Sequence, residues 1–252
     1  MARGVAGLAR SGGRAAAVDE IEVKAGLPGD AVRRARKRWK LDRAEASVRR
    51  LHFFDTPQLD LFAAGLVARA RRIRGGDHDS TVKLRPVTPA AIGEQWRAFR
   101  GFKVETDASE RDVVAAASFS MPIERGRIRR VARGEAGVGE LFDDEQRLFL
   151  LGMAGVRVDF ERVVAFAPVR VRRWKVDDPD SRWPLGVEVW RREDGERLVE
   201  VSAKAPIGAA ADAVRELMRL LDDVGVERGS DPLARVRWAL AAGPARRVRK
   251  GR

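Results

Sequence analysis

The sequence contains no cysteine, which excludes disulfides and thiolate-held metal centres. Histidine is almost as scarce: His52 and His78 are the two in 252 residues, too few for a histidine zinc site. Any bound metal would then be hard and oxygen-ligated, of the magnesium or manganese kind. No apolar run approaches the ~20 residues that a membrane-spanning helix needs. The stretch from Met1 to Val18 is small, basic and glycine-containing, without the apolar segment of a secretory signal. It reads as a loose tail, and the protein as cytoplasmic. Lysine is sparse too: of 50 basic residues eight are lysine, leaving 42 arginines. That bias lowers the information carried by any single arginine.

What is abundant is positive charge, with a formal net charge of +13. Much of it sits at the ends. Arg3, Arg10 and Arg14 precede the first acid, Asp19, and Arg246, Arg247, Arg249, Lys250 and Arg252 close the chain. These two tails hold 8 of the 13 charges, so residues 19–242 carry only +5. Bulk charge is therefore a poor argument for nucleic-acid binding, and a nucleic-acid partner is not required. The length accommodates one large core. The expected organisation is a basic tail over 1–18, a single domain over 19–241 that includes C-terminal helices at 209–241, and a second basic tail over 242–252.

Glu20-Ile21-Glu22-Val23-Lys24 alternates charged and apolar residues, as a half-buried strand does. Side chains at i, i+2 and i+4 share a strand face at roughly 6–7 Å spacing, so two carboxylates and an ammonium line up. Such a face is either simply solvated, or a site for a cation and a phosphorylated anion. Further strands are expected at Arg49–Phe54, Val67–Ile73, Ser80–Arg85 and Phe99–Thr106. Ser109 with Asp112 has the form of a capping box, which predicts a helix through about Ser118. Two more strands are expected over Gly155–Phe166 and Val169–Asp177. A hairpin turning at Asp194-Gly195 should join Trp183–Arg192 to Glu196–Lys204. Helices are predicted after Asp30, after Thr56-Pro57, over Asp143–Leu151, over Ala209–Val224 and after Asp231-Pro232. About eight strands, nearly all able to pair antiparallel and charged on one face, fit a closed barrel with a polar lumen. The fold class is thus α+β: an eight-stranded antiparallel closed barrel with flanking helices.

The run Phe53-Phe54-Asp55-Thr56-Pro57-Gln58-Leu59-Asp60-Leu61, followed by Gly65-Leu66-Val67-Ala68-Arg69-Ala70-Arg71, adds a second motif to Glu20–Lys24. Together they resemble the CYTH family of triphosphate tunnel enzymes. That family opens on a Glu-x-Glu-x-Lys strand and continues through an aromatic-Asp-Thr-Pro turn to a Leu-Arg-x-Arg strand. Its Thr-x-Lys element is similar to Thr81-Val82-Lys83. Looser likenesses follow at Phe160-Glu161-Arg162 and Leu198-Val199-Glu200-Val201-Ser202. The resemblance spans about residues 19–205 in order.

The resemblance implies an eight-stranded tunnel and a metal-dependent phosphohydrolase that cleaves the terminal phosphoanhydride of an inorganic, thiamine or nucleoside triphosphate. An adenylyl cyclase and a non-hydrolytic polyphosphate-binding module are the alternatives. It implies that Lys24, Arg69, Arg71, Lys83, Arg162 and Lys175 contact phosphate, since guanidinium forks match phosphate oxygens. Glu20, Glu22 and Glu200 would hold Mg²⁺ or Mn²⁺, with Glu105 and Glu188 as further lumen acids. Lys24 and Glu22 would be the catalytic pair. The partner is a triphosphate or polyphosphate small molecule, with no membrane and with a homodimer as the candidate assembly. Asp55 and Thr56 read as turn and cap residues. One departure stands out: the family's last lumen strand carries Glu-x-Glu, and here the second position is Ser202. That change implies one metal in place of two, or binding without cleavage.

Overall fold

The protein is described from a computed structural model over residues 20–109, 112–222, 224 and 234–245. The expected tail at 1–18 lies outside the described residues, as do 246–252 of the second tail, while Pro244 makes a bridge to Phe166.

The strands are β1 (Glu20–Pro28), β2 (Ser47–Asp55), β3 (Leu66–Ile73), β4 (Asp79–Leu84) and β5 (Phe102–Ala108). They continue with β6 (Val113–Pro122), β7 (Val164–Ala165), β8 (Val169–Val176), β9 (Leu185–Arg191) and β10 (Arg197–Pro206). The helices are α1 (Ala31–Arg38), α2 (Asp60–Ala63), α3 (Glu94–Arg97), α4 (Arg125–Ala132), α5 (Asp144–Ala154), α6 (Ala210–Asp222) and α7 (Ala234–Leu240). Pairing runs β3-β4-β6-β5-β1-β10-β9-β8-β2, and β2 pairs with β3 to close the ring, with β7 attached to β2 beyond β8.

The closed barrel thus has nine strands where eight were expected. A ring with an odd number of strands cannot alternate direction all the way round, so at least one neighbouring pair must be parallel. That pair is β1 with β5, where Ile21, Glu22 and Val23 face Thr106, Asp107 and Ala108. The ninth strand is β6, in the segment read as a helix from Ser109. The Ser109–Asp112 pattern is a turn: Ser109 N–H donates to the Asp112 carbonyl at 2.8 Å, and Asp112 N–H to Ser109 Oγ at 3.0 Å. Beyond it, β-branched Val113 and Val114 favour the strand, and fully buried Ala116 and Ala117 pack tightly in the sheet. A second expectation also fails: of Gly155–Phe166 only Val164–Ala165 is strand. Gly155, with φ +65°, ends α5, and Phe160 leaves the sheet to stack on Phe142 at 5.3 Å.

Two apolar clusters coat the outside of the barrel. One packs Ile21, Val23, Val199 and Val201 under α1 and α6 through Ala35, Trp39, Leu217 and Leu221. The other packs Ala68, Val82, Ala117 and Phe119 under α4 and α5 through Ile128, Phe149 and Leu150. Fully buried Gln146 locks α5 in place, donating to the carbonyls of Ser80 and Phe119 while accepting from Ser80 Oγ. A third cluster lies on the inward faces at one end of the barrel. There Leu51, Phe53, Val169, Val171 and Trp190 meet Val236, Ala239 and Leu240 of α7. The helical segment at 209–241 therefore divides: α6 lies on the outer wall and α7 covers one end. The remaining lumen is polar.

Candidate active site

The alternation of each strand fixes what faces the lumen. On β1, Ile21 and Val23 belong to the outer cluster, so Glu22 and Lys24 point inward. Register carries that direction around the ring: Lys24 lies opposite Ser202, Glu200 opposite Glu188, and Glu188 opposite Arg173. Across the ring Phe53 faces Arg69, Arg69 faces Thr81, and Lys83 faces Ser118. Counting Arg235 from α7, eight cations meet six carboxylates among the described side chains of this interior.

All but Arg69 sort into four groups. In the first, Asp107 accepts from Lys24 at 2.7 Å and from Arg85 at 2.9 Å, with Lys83 at 3.7 Å. Lys24 also pairs with Glu22 at 2.9 Å, and Lys83 with Glu105 at 2.7 Å. In the second, Glu188 lies 3.6 Å from both Arg49 and Arg173 and accepts from Trp190 Nε1 at 3.0 Å. In the third, Arg71 donates through Nε to Asp79 at 2.7 Å. In the fourth, Arg235 pairs with Glu200 and lies 4.9 Å over the Trp190 ring.

Burial and these partners set the titration of the lumen. Burial pushes the Asp107 carboxyl up, but Lys24, Lys83 and Arg85 together hold it well below the usual range. Glu22 is likewise lowered, because Lys24 outweighs its burial. Lys24 is raised, since Asp107 and Glu22 overcome its desolvation. Lys83 goes the other way, because burial prevails over Asp107. Burial raises Glu200, and its neighbours Glu188 and Glu22 add to that despite Arg235. Arg69 has no acidic partner among the described residues, its Nε is buried without an acceptor, and burial plus Arg71 lowers it to about 10. The Nε of Arg49 is also buried and unpartnered. Orphaned guanidinium donors in such an interior suit an anionic ligand.

Of the residues read from sequence, Glu22, Lys24, Arg69, Arg71, Lys83, Glu105, Glu188 and Glu200 line this one lumen. Glu20 belongs to β1 opposite Pro206, and its side chain lies outside the described atoms. Lys175 follows Arg173 on the inward face of β8 but is exposed at the open end, opposite Gly186. Arg162 is not brought in: it sits on a turn, two-thirds exposed, 3.6 Å from Asp60. Ser202 is buried against Gly186, where an added Cβ would meet its Oγ at 2.8 Å. Asp55 accepts from the N–H groups of Thr56, Leu61 and Phe62, and Thr56 Oγ1 from that of Asp60, so both organise the turn into α2.

Six members escaped the sequence reading. Asp107 stands two residues beyond Glu105 on the same face, just past the expected Phe99–Thr106 strand, while Arg85 closes the expected Ser80–Arg85 strand on the face of Lys83 and is hidden by the arginine excess. Asp79 is the residue just before the expected start of β4. Arg49 and Arg173 were masked by the arginine excess. Arg235 comes from a helix whose pattern reads as ordinary packing.

The carboxylates Glu22, Glu188 and Glu200 project from three adjacent strands, β1, β9 and β10. Their oxygen-only chemistry suits a hard divalent cation. Among the described residues no three acids already converge on one point, and Arg235 holds Glu200.

No family model matches this chain, and no curated protein matches it in sequence. Solved structures do. A protein from Hippeastrum, assigned as an adenylyl cyclase and found to have a dominant triphosphatase activity, superposes with TM-score 0.60 at 15% identity, over 91% of this chain and 99% of that one. A protein from Bacillus halodurans assigned as an adenylate cyclase superposes with TM-score 0.56 at 10% identity, over 86% of this chain and 98% of that one. The likeness is one of fold, and it agrees with the CYTH resemblance read in the sequence.

Proposed function

We propose that the chain is a phosphohydrolase that binds a triphosphate in its lumen and cleaves the terminal phosphoanhydride. The observation that carries this reading is Arg69, a buried guanidinium with no acidic ion-pair partner among the described residues, beside Arg71 and in the same lumen as Arg49 and Lys83. Their forks and ammonium groups bind non-bridging oxygens and stabilise charge that moves onto the leaving diphosphate. Lys24, kept protonated by Asp107 and Glu22, contacts the phosphate being transferred. Glu22 is held ionised and accepts a hydrogen bond from the attacking water. Water adds to the terminal phosphorus and passes a proton to Glu22, the bridging P–O bond breaks, and the shortened product, inorganic diphosphate or the diphosphate ester, is the leaving group. Glu22, Glu188 and Glu200, with Glu20, would hold Mg²⁺ or Mn²⁺, which supplies Lewis-acid neutralisation of phosphate oxygens.

A second reading, binding without hydrolysis, is favoured by Ser202 and by the Arg235–Glu200 pair, which takes one carboxylate away from a metal. Incubation with tripolyphosphate, ATP or thiamine triphosphate, with Mg²⁺, Mn²⁺ or EDTA, separates the readings. Released phosphate supports the hydrolase, tight binding without turnover the binding module, and cyclic AMP with pyrophosphate a cyclase. Arg69→Ala should lower kcat/KM by about 10²-fold or more. Unchanged turnover in that variant overturns the lumen assignment.

A further inference from the structure

A second basic feature lies on the outer wall, where the strand faces opposite to the lumen emerge. Four arginines stand directly across from one another over four strands: Arg50 with Arg170, Arg170 with Arg191, and Arg191 with Arg197. At about 4.8 Å between strands the row extends over roughly 14 Å. Like charges placed directly opposite destabilise a sheet, so the row stands against the folding energetics.

The row is also walled. Arg36 of α1 and Arg43 beyond it face Arg170, Arg172, Arg191 and Arg197 across a groove that has no carboxylate in its lining. Among the described residues none of these six has an acidic partner, and the Nε of Arg36 is buried without an acceptor. Burial, followed by Arg43, Arg170, Arg191 and Arg36, depresses Arg172, as close crowding of cations requires. The groove continues past Arg170 and Arg191 to Arg50, whose nearest acid is Glu193 at 3.3 Å. In the other direction it follows α1 past Arg197, where Asp30 is paired with Arg34 at 3.3 Å.

We propose that this groove binds an extended phosphate chain that carries no bases, namely inorganic polyphosphate. Its three successive depressions, which share Arg170 and Arg191 on one side and Arg36 and Arg197 on the other, suit a chain better than a compact anion, and arginine forks suit its oxygens. The remaining lining is Val32, Val189 and Trp174. Trp174 is 4% exposed and its indole N–H donates to the Asp42 carbonyl, so no aromatic face is offered to a base. Among the described residues the large exposed apolar side chains are Leu148 and Leu151, both on α5 and away from this groove, so the groove has no anchor for a lipid surface. The site is independent of the lumen reading.

The test uses the full chain with medium-length inorganic polyphosphate, tripolyphosphate, single-stranded RNA and phosphatidylserine vesicles as probes. Arg170→Glu/Arg191→Glu should weaken polyphosphate binding at least tenfold and flatten its salt dependence. Tripolyphosphate binding in the lumen should stay unchanged. Arg170→Gln/Arg191→Gln guards against misfolding: it should raise thermal stability by relieving repulsion while still weakening polyphosphate. Unaltered polyphosphate affinity in both variants overturns the proposal. So does tighter binding of RNA or vesicles by the unmodified protein, or loss of polyphosphate binding in Arg69→Ala alone.

Discussion

Asp107 concentrates more of the lumen's electrostatics than any acid read from the sequence. It is 3% exposed, and three cations converge on it. Asp107→Asn would leave Lys24 and Arg85 short of a counter-charge inside the barrel. The expected cost is about 3–5 kcal/mol, measured by urea unfolding at neutral pH. Because the folded-state carboxyl is lowered, its contribution is present above the unfolded value near 4 and fades only as pH falls further. The acid limb of the wild-type stability curve should therefore flatten in the variant. Arg235 makes a different demand. Arg235→Gln releases Glu200, whose raised carboxyl then lacks its nearest cation, and Mn²⁺ affinity should rise on the order of tenfold by calorimetry, or about 1.4 kcal/mol. Unchanged or weaker Mn²⁺ binding would show that Arg235 and the ion do not compete. Residues at period two on a charged strand face, such as Glu22, Lys24, Arg69 and Arg71, are legible in the sequence itself. Arg235 is not, because its partners come from β9 and β10 and nothing local distinguishes it from a surface arginine.

Elements were read well where apolar alternation was strong, as in β1, β3 and the β9–β10 hairpin, and poorly where local chemistry imitated another structure. Ser109 and Asp112 satisfy a capping pattern, yet the segment after them is drawn into the ring between β4 and β5. Pairing on both edges outweighs the helix preference of three alanines. α7 shows the converse. Its seven residues are too few to hold a helix alone, and Val236, Ala239 and Leu240 are ordered by the apolar end of the barrel. Leu240→Ala should cost about 2–5 kcal/mol locally. The expected readout is faster amide exchange over 234–245 with the exchange of β1 and β10 unchanged. Equal protection in the variant would mean that α7 is held by something other than this contact.

For the whole molecule, closure of the barrel brings like charges together, and His52 records it. It lies within β2, 4% exposed, two residues along from the facing pair Arg50 and Arg72, and burial followed by those arginines lowers it to about 4. The neutral ring is therefore the folded form, and the unfolded chain takes up a proton first. Stability should fall as pH drops from about 6.5 towards 4, by about 2 kcal/mol at pH 5. His52→Gln should remove that part of the loss, measured as the difference in urea midpoint between pH 7 and pH 5. A loss of the same size in the variant would assign it to other groups.

The parallel seam between β1 and β5 bears on how the chain is made. β1 leaves the ribosome before the other strands of the ring, but Lys24 waits 83 residues for Asp107. Its other edge waits for β10, the last strand, since Glu20 pairs with Pro206. The ring therefore cannot shut until nearly the whole domain is synthesised, and such non-local pairing folds slowly. During that interval the strand bearing Glu22 and Lys24 has open edges, and its charges oppose pairing with other nascent chains.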